Sequence, residues 1–383
     1  VTIGESVMTN SRESRRAAAA SPRVLDLRSG GWVIVLAGVL TVGAAVAIVL
    51  STRGSGGRWV GRQQAAGGPN GFDLAICRIP RDEIVRGGPP KDGIPAITDP
   101  RMLTAAEVDA ITKNERGKYL VSDDRVIGVA IDGDARAYPL NILCWHEVVN
   151  DVVGGRPIAV TYCPLCDSAV VFDRRVDDET LEFGVSGLLY NSNALLYDRR
   201  PGGRGESLWS QLKLGAVTGP AAAANQTLTI VPSALVRWAD WRRAHPDTGV
   251  LARDPAYGRR YRRSPYQSYF GDDRLRFPVR PLPSREERRY KTRVVALAID
   301  GERVVVPMPE IARLPDHDGV REMTVGDARI RMRYDEATET VDFVEPDDAA
   351  DLAPVYTFWF AWHAMHPDDA VWRVGGVGSP PSE

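Results

Sequence analysis

Three of the chain's four cysteines and one of its five histidines lie in one stretch, CWHEVVNDVVGGRPIAVTYCPLCDSAVVFDR, Cys144 to Arg174. Two cysteines at Cys-x-x-Cys spacing, Cys163 and Cys166, can hold a soft metal ion, cycle between dithiol and disulfide, or close an inert disulfide. Apolar runs flank the pair on both sides, so it is expected in a turn between two strands. A thioredoxin-type dithiol instead starts a helix, whose dipole lowers the thiol pKa. A Cys-Pro-x-Cys turn between strands is closer to the knuckles that aim two thiolates at one ion, and such a site needs two more ligands. Cys144 and His146 are two apart and would share a face if their stretch were a strand. His146, Cys163 and Cys166, with Cys144 a candidate fourth ligand, could thus bind zinc, iron or copper. Glu147 and Asp151 are the candidate acid–base groups, while Asn150 and Tyr162 could act behind the ligands. The other readings stay open. Cys163 and Cys166 could be a redox couple serving exported proteins, or Cys144 could pair with one of them or with Cys77. His146 could be a hydrogen-bonded core residue, and the whole could be a binding or scaffold module without chemistry.

Other polar residues cluster without a motif. GGPPKDGIPAI offers Lys91 and Asp92; FGVSGLLYNSNALLYDRR offers Ser186, Tyr190, Asn191 and Asp198; SLWSQL offers Ser207, Trp209 and Gln211. GVSGL lacks the Gly-x-Ser-x-Gly of a nucleophile elbow, and neither a phosphate loop nor a dinucleotide fingerprint is present. His245 and His366 share a His-Pro-Asp context, which explains them as helix ends.

The elements that must position these residues come from an internal repeat. RVIGVAIDGDARAYPL (125–140) matches RVVALAIDGERVVVPM (293–308), each an alternating strand, an Asp-Gly turn and a second strand. VVFDRRVDDETLEF (170–183) resembles MRYDEATETVDF (332–343), and WADWRRAHPD (238–247) matches WFAWHAMHPD (359–368). Three segments in the same order predict a duplicated, mainly β (α+β) fold of two pseudo-repeated units, each ending in a short helix with a Trp pair. On this alignment the second copy lacks the Cys/His segment and the insertion at 184–232, so the first copy is the one elaborated for function.

Residues 1–30 read as a disordered cytoplasmic tail and 31–50, GWVIVLAGVLTVGAAVAIVL, as a transmembrane helix. Five arginines precede that run, which places the N-terminus in the cytoplasm and the body outside the cell membrane as a single-pass protein. A flexible tether covers 51–71, the first repeat 72–251, an Arg/Tyr/Pro-rich connector 252–292, the second repeat 293–373 and a disordered tail 374–383. The connector reads as a solvated loop, with an anionic glycan or lipid head group as its functional alternative. The net charge of -2 gives no pull towards nucleic acid. Outside the cytoplasm, unpaired thiols oxidise unless bound to metal or recycled.

Together, GGPPKDGIPAI, ARAYPLNILCWHEVVNDVVGG, VTYCPLCDSAVVFDR, FGVSGLLYNSNALLYDR, SLWSQL and WRRAHPDTGVL resemble a prokaryotic family, domain of unknown function 3179, over about residues 72 to 373. The resemblance implies an N-terminal export or anchor segment but no particular reaction. The family's Cys-Pro-Leu-Cys falls on Cys163 and Cys166, and its His-Glu-x-x-Asn-Asp on His146, Glu147, Asn150 and Asp151. Two positions depart from it: Cys144 is not expected as cysteine, and Asp167 stands where a glycine would follow the Cys-Pro-Leu-Cys turn.

Overall fold

The computed structural model describes residues 68–114, 119–299, 301–344 and 352–378. The expected tail, membrane helix and most of the tether lie outside these residues; among the described ones, no helix is long and apolar enough to cross a membrane. All described residues belong to one compact unit. It is mainly β, with seven short helices among the described residues.

The first copy follows helix α1 (Ala105–Asn114) with hairpin β1 (Arg125–Ile131) and β2 (Asp134–Pro139). Asp132 and Gly133 both have positive φ, 48° and 83°, the two-residue turn that Asp-Gly favours. Helix α2 (Leu140–His146) leads into a meander of β3 (Val148–Val153), β4 (Arg156–Cys163) and β5 (Ser168–Asp173). The insertion forms β6 (Phe183–Tyr190), β7 (Asn193–Asp198), β8 (Leu208–Ser210) and helix α3 (Gly219–Ala223). Strand β9 (Ala234–Arg237), helix α4 (Trp238–Ala244) and β10 (Gly249–Leu251) close the copy. After helix α5 (Gln267–Phe270) in the connector, the second copy repeats the plan. Its elements are β11 (Arg293–Ile299), β12 (Glu302–Pro307), α6 (Met308–Ala312), β13 (Arg321–Val325), β14 (Ala328–Asp335), β15 (Thr340–Phe343), β16 (Val355–Phe358), α7 (Trp359–Met365) and β17 (Ala370–Arg373).

The two copies do not form two separate units. They exchange their meanders. One sheet orders β3-β4-β5-β16-β11-β12-β17, so the first copy's meander continues into the second copy's strands. The other orders β13-β14-β15-β9-β1-β2-β10, the reverse exchange. The junctions are equivalent: Ala169 pairs with Tyr356, and Val341 pairs with Leu235. The expected tail also starts later than 374, because Gly376–Gly378 pairs with β17 at the sheet edge.

Strand register also corrects the sequence alignment of the copies. Cys163 pairs with Ser168 across its turn, and Asp335 pairs with Thr340 across the matching one. Segment 332–343 therefore corresponds to 160–171, ten residues before the match read from sequence. The second copy does contain the turn, with Asp335 and Thr338 where the first has Cys163 and Cys166. Apolar character alternates with period two along β14 but is nearly continuous along β4, so a comparison of hydrophobic patterns misses the correspondence.

Successive side chains of β1 and β11 feed different cores. Ile127, Val129, Val295 and Leu297 fill the core between the two large sheets. Val126, with Trp238 and Trp241, fills an outer core beneath the first copy's helices. Val294 and Ala296 join Cys163, Cys166, Phe172 and Trp209 in the core shared with the insertion sheet. The sheet bearing the cysteines is thus covered on both faces, and the insertion supplies one cover.

Candidate functional site

Cys163 ends β4 and Cys166 sits in the turn before β5, where the Cys166 N–H donates to the Cys163 carbonyl (3.1 Å). This is the strand–turn–strand arrangement expected from the sequence. All four cysteines are free thiols, and Cys163 and Cys166 are 2% and 0% exposed. Burial opposes ionisation of Cys163. The Cys166 thiol and the backbone N–H groups of Ala194, Cys166 and Leu165 more than offset it, so its pKa lies below the ordinary value. Cys166 moves the opposite way: burial, then its bond to Cys163 and the charge there, hold its thiol protonated.

The second copy shows that the turn contributes to this asymmetry. There the Asp335 carboxylate accepts from the Thr338 N–H (2.8 Å) and hydroxyl (2.7 Å). Its pKa is lowered against burial by the Thr338 side chain, the Thr338 N–H, Arg237 and the Ala337 N–H. Position one of the turn holds an anion and position four donates to it. Cys163 and Cys166 occupy those same positions.

The residue after the turn is Asp167, with φ 46°, the left-handed conformation its expected glycine would adopt freely. Its buried carboxylate accepts from Arg125 (3.0 and 2.9 Å), Arg293 Nε (2.7 Å) and the Tyr162 hydroxyl (2.6 Å). Burial works against the charge, but the two guanidiniums hold the carboxyl well below the usual range. Arg125 and Arg293 are the first residues of β1 and β11, equivalent positions of the two copies. Sequence reasoning missed this triad, although the repeated Arg-Val of the two hairpins was its signal.

Glu147 follows α2 with φ 58°, and its backbone N–H bonds the Leu143 carbonyl (2.8 Å). Burial first, then the proximity of Cys163, raise its pKa well above the carboxylate range. Burial thus favours the protonated form of this carboxyl, which interacts electrostatically with the thiol that ionises most readily. Gln211 also reaches this site. Its amide donates to Thr161 Oγ1 (2.9 Å) and accepts from Ser168 Oγ (2.5 Å) and Asn193 Nδ2 (2.9 Å). Asn193 in turn bonds Cys166. Much of the connector is exposed, as expected of a solvated loop, but part of it covers the turn: the Tyr269 hydroxyl donates to Leu165 O (2.9 Å), and Tyr261 and Tyr269 are buried. Asn191 fastens it, donating to Arg280 O (2.9 Å) and accepting from Arg280 N (2.8 Å).

The expected metal ligands are not brought together. Cys144 and His146 lie on helix α2 rather than a strand. His146 donates from Nδ1 to Pro95 O (2.8 Å), and its remaining lone pair on Nε2 accepts from the Tyr261 hydroxyl (2.7 Å). It is 2% exposed and packs at a tilt against Tyr257 (4.6 Å), the hydrogen-bonded core residue of the alternative reading. Cys144 lies near Ser264 Oγ (3.8 Å), with burial pushing its pKa up to about 12. Cys77 bonds the Ile79 carbonyl (3.1 Å), apart from Cys144. Among the described residues no group of three His, Cys, Asp or Glu side chains could hold a metal ion.

The remaining sequence candidates brace the fold. Asp151 pairs with Arg136 (2.6 Å) and Tyr138 (2.7 Å), and Asn150 bridges to Phe183 O (2.8 Å) and from Phe183 N (2.9 Å). Lys91 pairs with Glu206 (2.5 Å) and Asp92 with Arg199 (3.0 Å). Ser186 accepts from Leu188 N (3.0 Å) in a strand bulge, and Asp198 accepts from Ser207 N (2.6 Å).

No curated protein and no solved structure matches this chain. The family model described as "Protein of unknown function (DUF3179)" matches residues 91–369, a span that contains the dithiol turn, both meanders and the insertion, and the chain belongs to that family.

Proposed function

We propose that Cys163 and Cys166 are the reactive pair of a thiol–disulfide oxidoreductase that works outside the cytoplasmic membrane, anchored by residues 31–50. The observation that carries this reading is the turn shared by the two copies. Asp335 and Thr338 build it with ordinary polar groups, so the fold does not need thiols there, and placing thiols in the same slots yields a stabilised thiolate beside a donor thiol. An i to i+3 turn also keeps the two Cα atoms within about 7 Å, inside the range a disulfide spans.

In the exchange the Cys163 thiolate attacks a substrate disulfide, forming a mixed disulfide and expelling one thiolate, which takes the proton of Glu147. Cys166 then gives up its proton to the Glu147 carboxylate and attacks Cys163, closing the Cys163–Cys166 bond. The second substrate thiolate leaves and takes that proton. Two electrons pass to the substrate, which departs as two thiols, and Glu147 ends ionised. Attack also requires the connector to move, because both sulfurs lie beneath it.

The test equilibrates the intact chain with glutathione buffers, then counts alkylated Cys163 and Cys166 by mass and the metal content of the same sample. The expected result is a reversible two-electron transition at a potential between roughly -120 and -270 mV, without bound metal. A pair that oxidises only after unfolding, or that carries one equivalent of zinc, iron or copper, would overturn the reading.

A further inference from the structure

The Trp-pair helices of the two copies match down to their hydrogen bonds. Trp241 Nε1 donates to Thr248 Oγ1 (2.9 Å), and Trp362 Nε1 donates to Asp369 Oδ2 (3.0 Å) at the same position. They differ at the first tryptophan. In the first copy Arg242 lies over Trp238 (5.9 Å) and is held by the Asp109 carboxylate of α1 through two bonds of 2.6 Å. In the second copy Arg288 lies over Trp359 (4.9 Å), and His363 replaces Arg242 against the same ring (5.2 Å). Here the carboxylate is missing. Arg288 Nη1, Trp359 Nε1 and His363 Nδ1 are each buried with no hydrogen-bond partner among the described residues. Trp359 and His363 are 1% and 7% exposed.

Guanidinium and indole N–H groups can only donate, and imidazole can donate from Nδ1. Leaving such groups unmet costs about 1–3 kcal/mol each, so three on neighbouring side chains call for an acceptor. Glu287, Glu310 and Asp368 are the nearby carboxylates, but Glu287 meets Arg373 at 3.4 Å, Glu310 meets Arg313 at 2.9 Å, and Asp368 is exposed. We infer that Arg288, Trp359 and His363 form a binding site for a small carboxylate anion, which takes the place that Asp109 fills in the first copy. The inference is independent of the dithiol.

The experiment follows thermal unfolding of the intact chain in sodium acetate, in neutral acetamide and in sodium chloride of equal ionic strength, with indole N–H resonances recorded alongside. Acetate at about ten times its Kd should raise Tm by roughly 2 °C. It should also move one of the nine tryptophan indole signals. Acetamide and chloride should do neither. Arg288→Gln should abolish both effects; Arg288 is partly exposed, so this variant keeps its fold, and Trp359→Phe, which takes one donor from the site, should remove the moving signal and reduce the rise in Tm. No response to acetate, as buried water alone would give, overturns the inference. So does an equal response to chloride, or one that survives in Arg288→Gln.

Discussion

Replacing Asp167 tests whether an ion triad holds the exchanged copies and the dithiol turn together. The carboxylate is 1% exposed and binds Arg125 twice and Arg293 once. Removing one partner of a buried pair costs roughly 3–5 kcal/mol, because the other charge stays desolvated. Arg293 keeps a second partner in Glu339, whereas Arg125 has no other carboxylate among the described residues. The uncompensated charge is therefore essentially one, and Asp167→Asn should cost about 3 kcal/mol. For a chain of this size that lowers Tm by about 5 °C. Asparagine tolerates the left-handed backbone, so the substitution isolates the charge. Asp167→Gly removes the charge and also relaxes φ 46°, and should be destabilised nearly as much. Denaturant midpoints of the three proteins decide. A glycine variant as stable as the parent would refute the reasoning, since backbone relief would then outweigh the triad.

Three further outcomes follow from the site. Glu147→Gln should stabilise the protein at neutral pH, because the parent binds a proton when folded that the unfolded chain releases; parent stability then falls as pH rises above about 4.3, and the variant should lose that slope. Cys166→Ala removes a donor from Cys163 and should shift its thiolate absorbance titration to higher pH; an unchanged titration would mean that Cys166 does not hold the thiolate. Asn191→Gly keeps φ 50° accessible but unfastens the connector, so alkylation of Cys163 in the folded protein should speed up several-fold, and an unchanged rate would exclude the connector as the barrier.

Part of the acid limb of stability belongs to His366, the histidine with the largest shift, while burial lowers His146, His245 and His363 in the same direction. Burial lowers the pKa of His366 to about 4, against the Leu212 carbonyl that its Nε2 donates to (2.8 Å). Between about 6.5 and 4 the unfolded chain takes up a proton that the folded one refuses, so stability should fall as pH drops through that window. His366→Gln should make this limb shallower in pH-dependent denaturant titrations, and an unchanged slope would exclude its contribution.

Much of this was legible in the residues themselves. Asp132-Gly133 specified a hairpin because a tight turn needs positive φ at both positions, and Trp-x-x-Trp before His-Pro specified short packed helices. Cys-Pro-Leu-Cys between apolar runs specified a strand–turn–strand dithiol, since local spacing and β propensity determine such a turn without help from afar. The role of His146 was not legible, because whether Cys-x-His lies on a strand or a helix depends on what packs against it. In the fold Tyr261, 115 residues away, takes the lone pair a metal would use. The exchange of meanders was equally hidden: a strand's pattern says which face is buried but not which strand lies beside it. Only tertiary structure set Ala169 against Tyr356, and brought two equivalent arginines from opposite halves of the chain onto Asp167, where a buried carboxylate requires them.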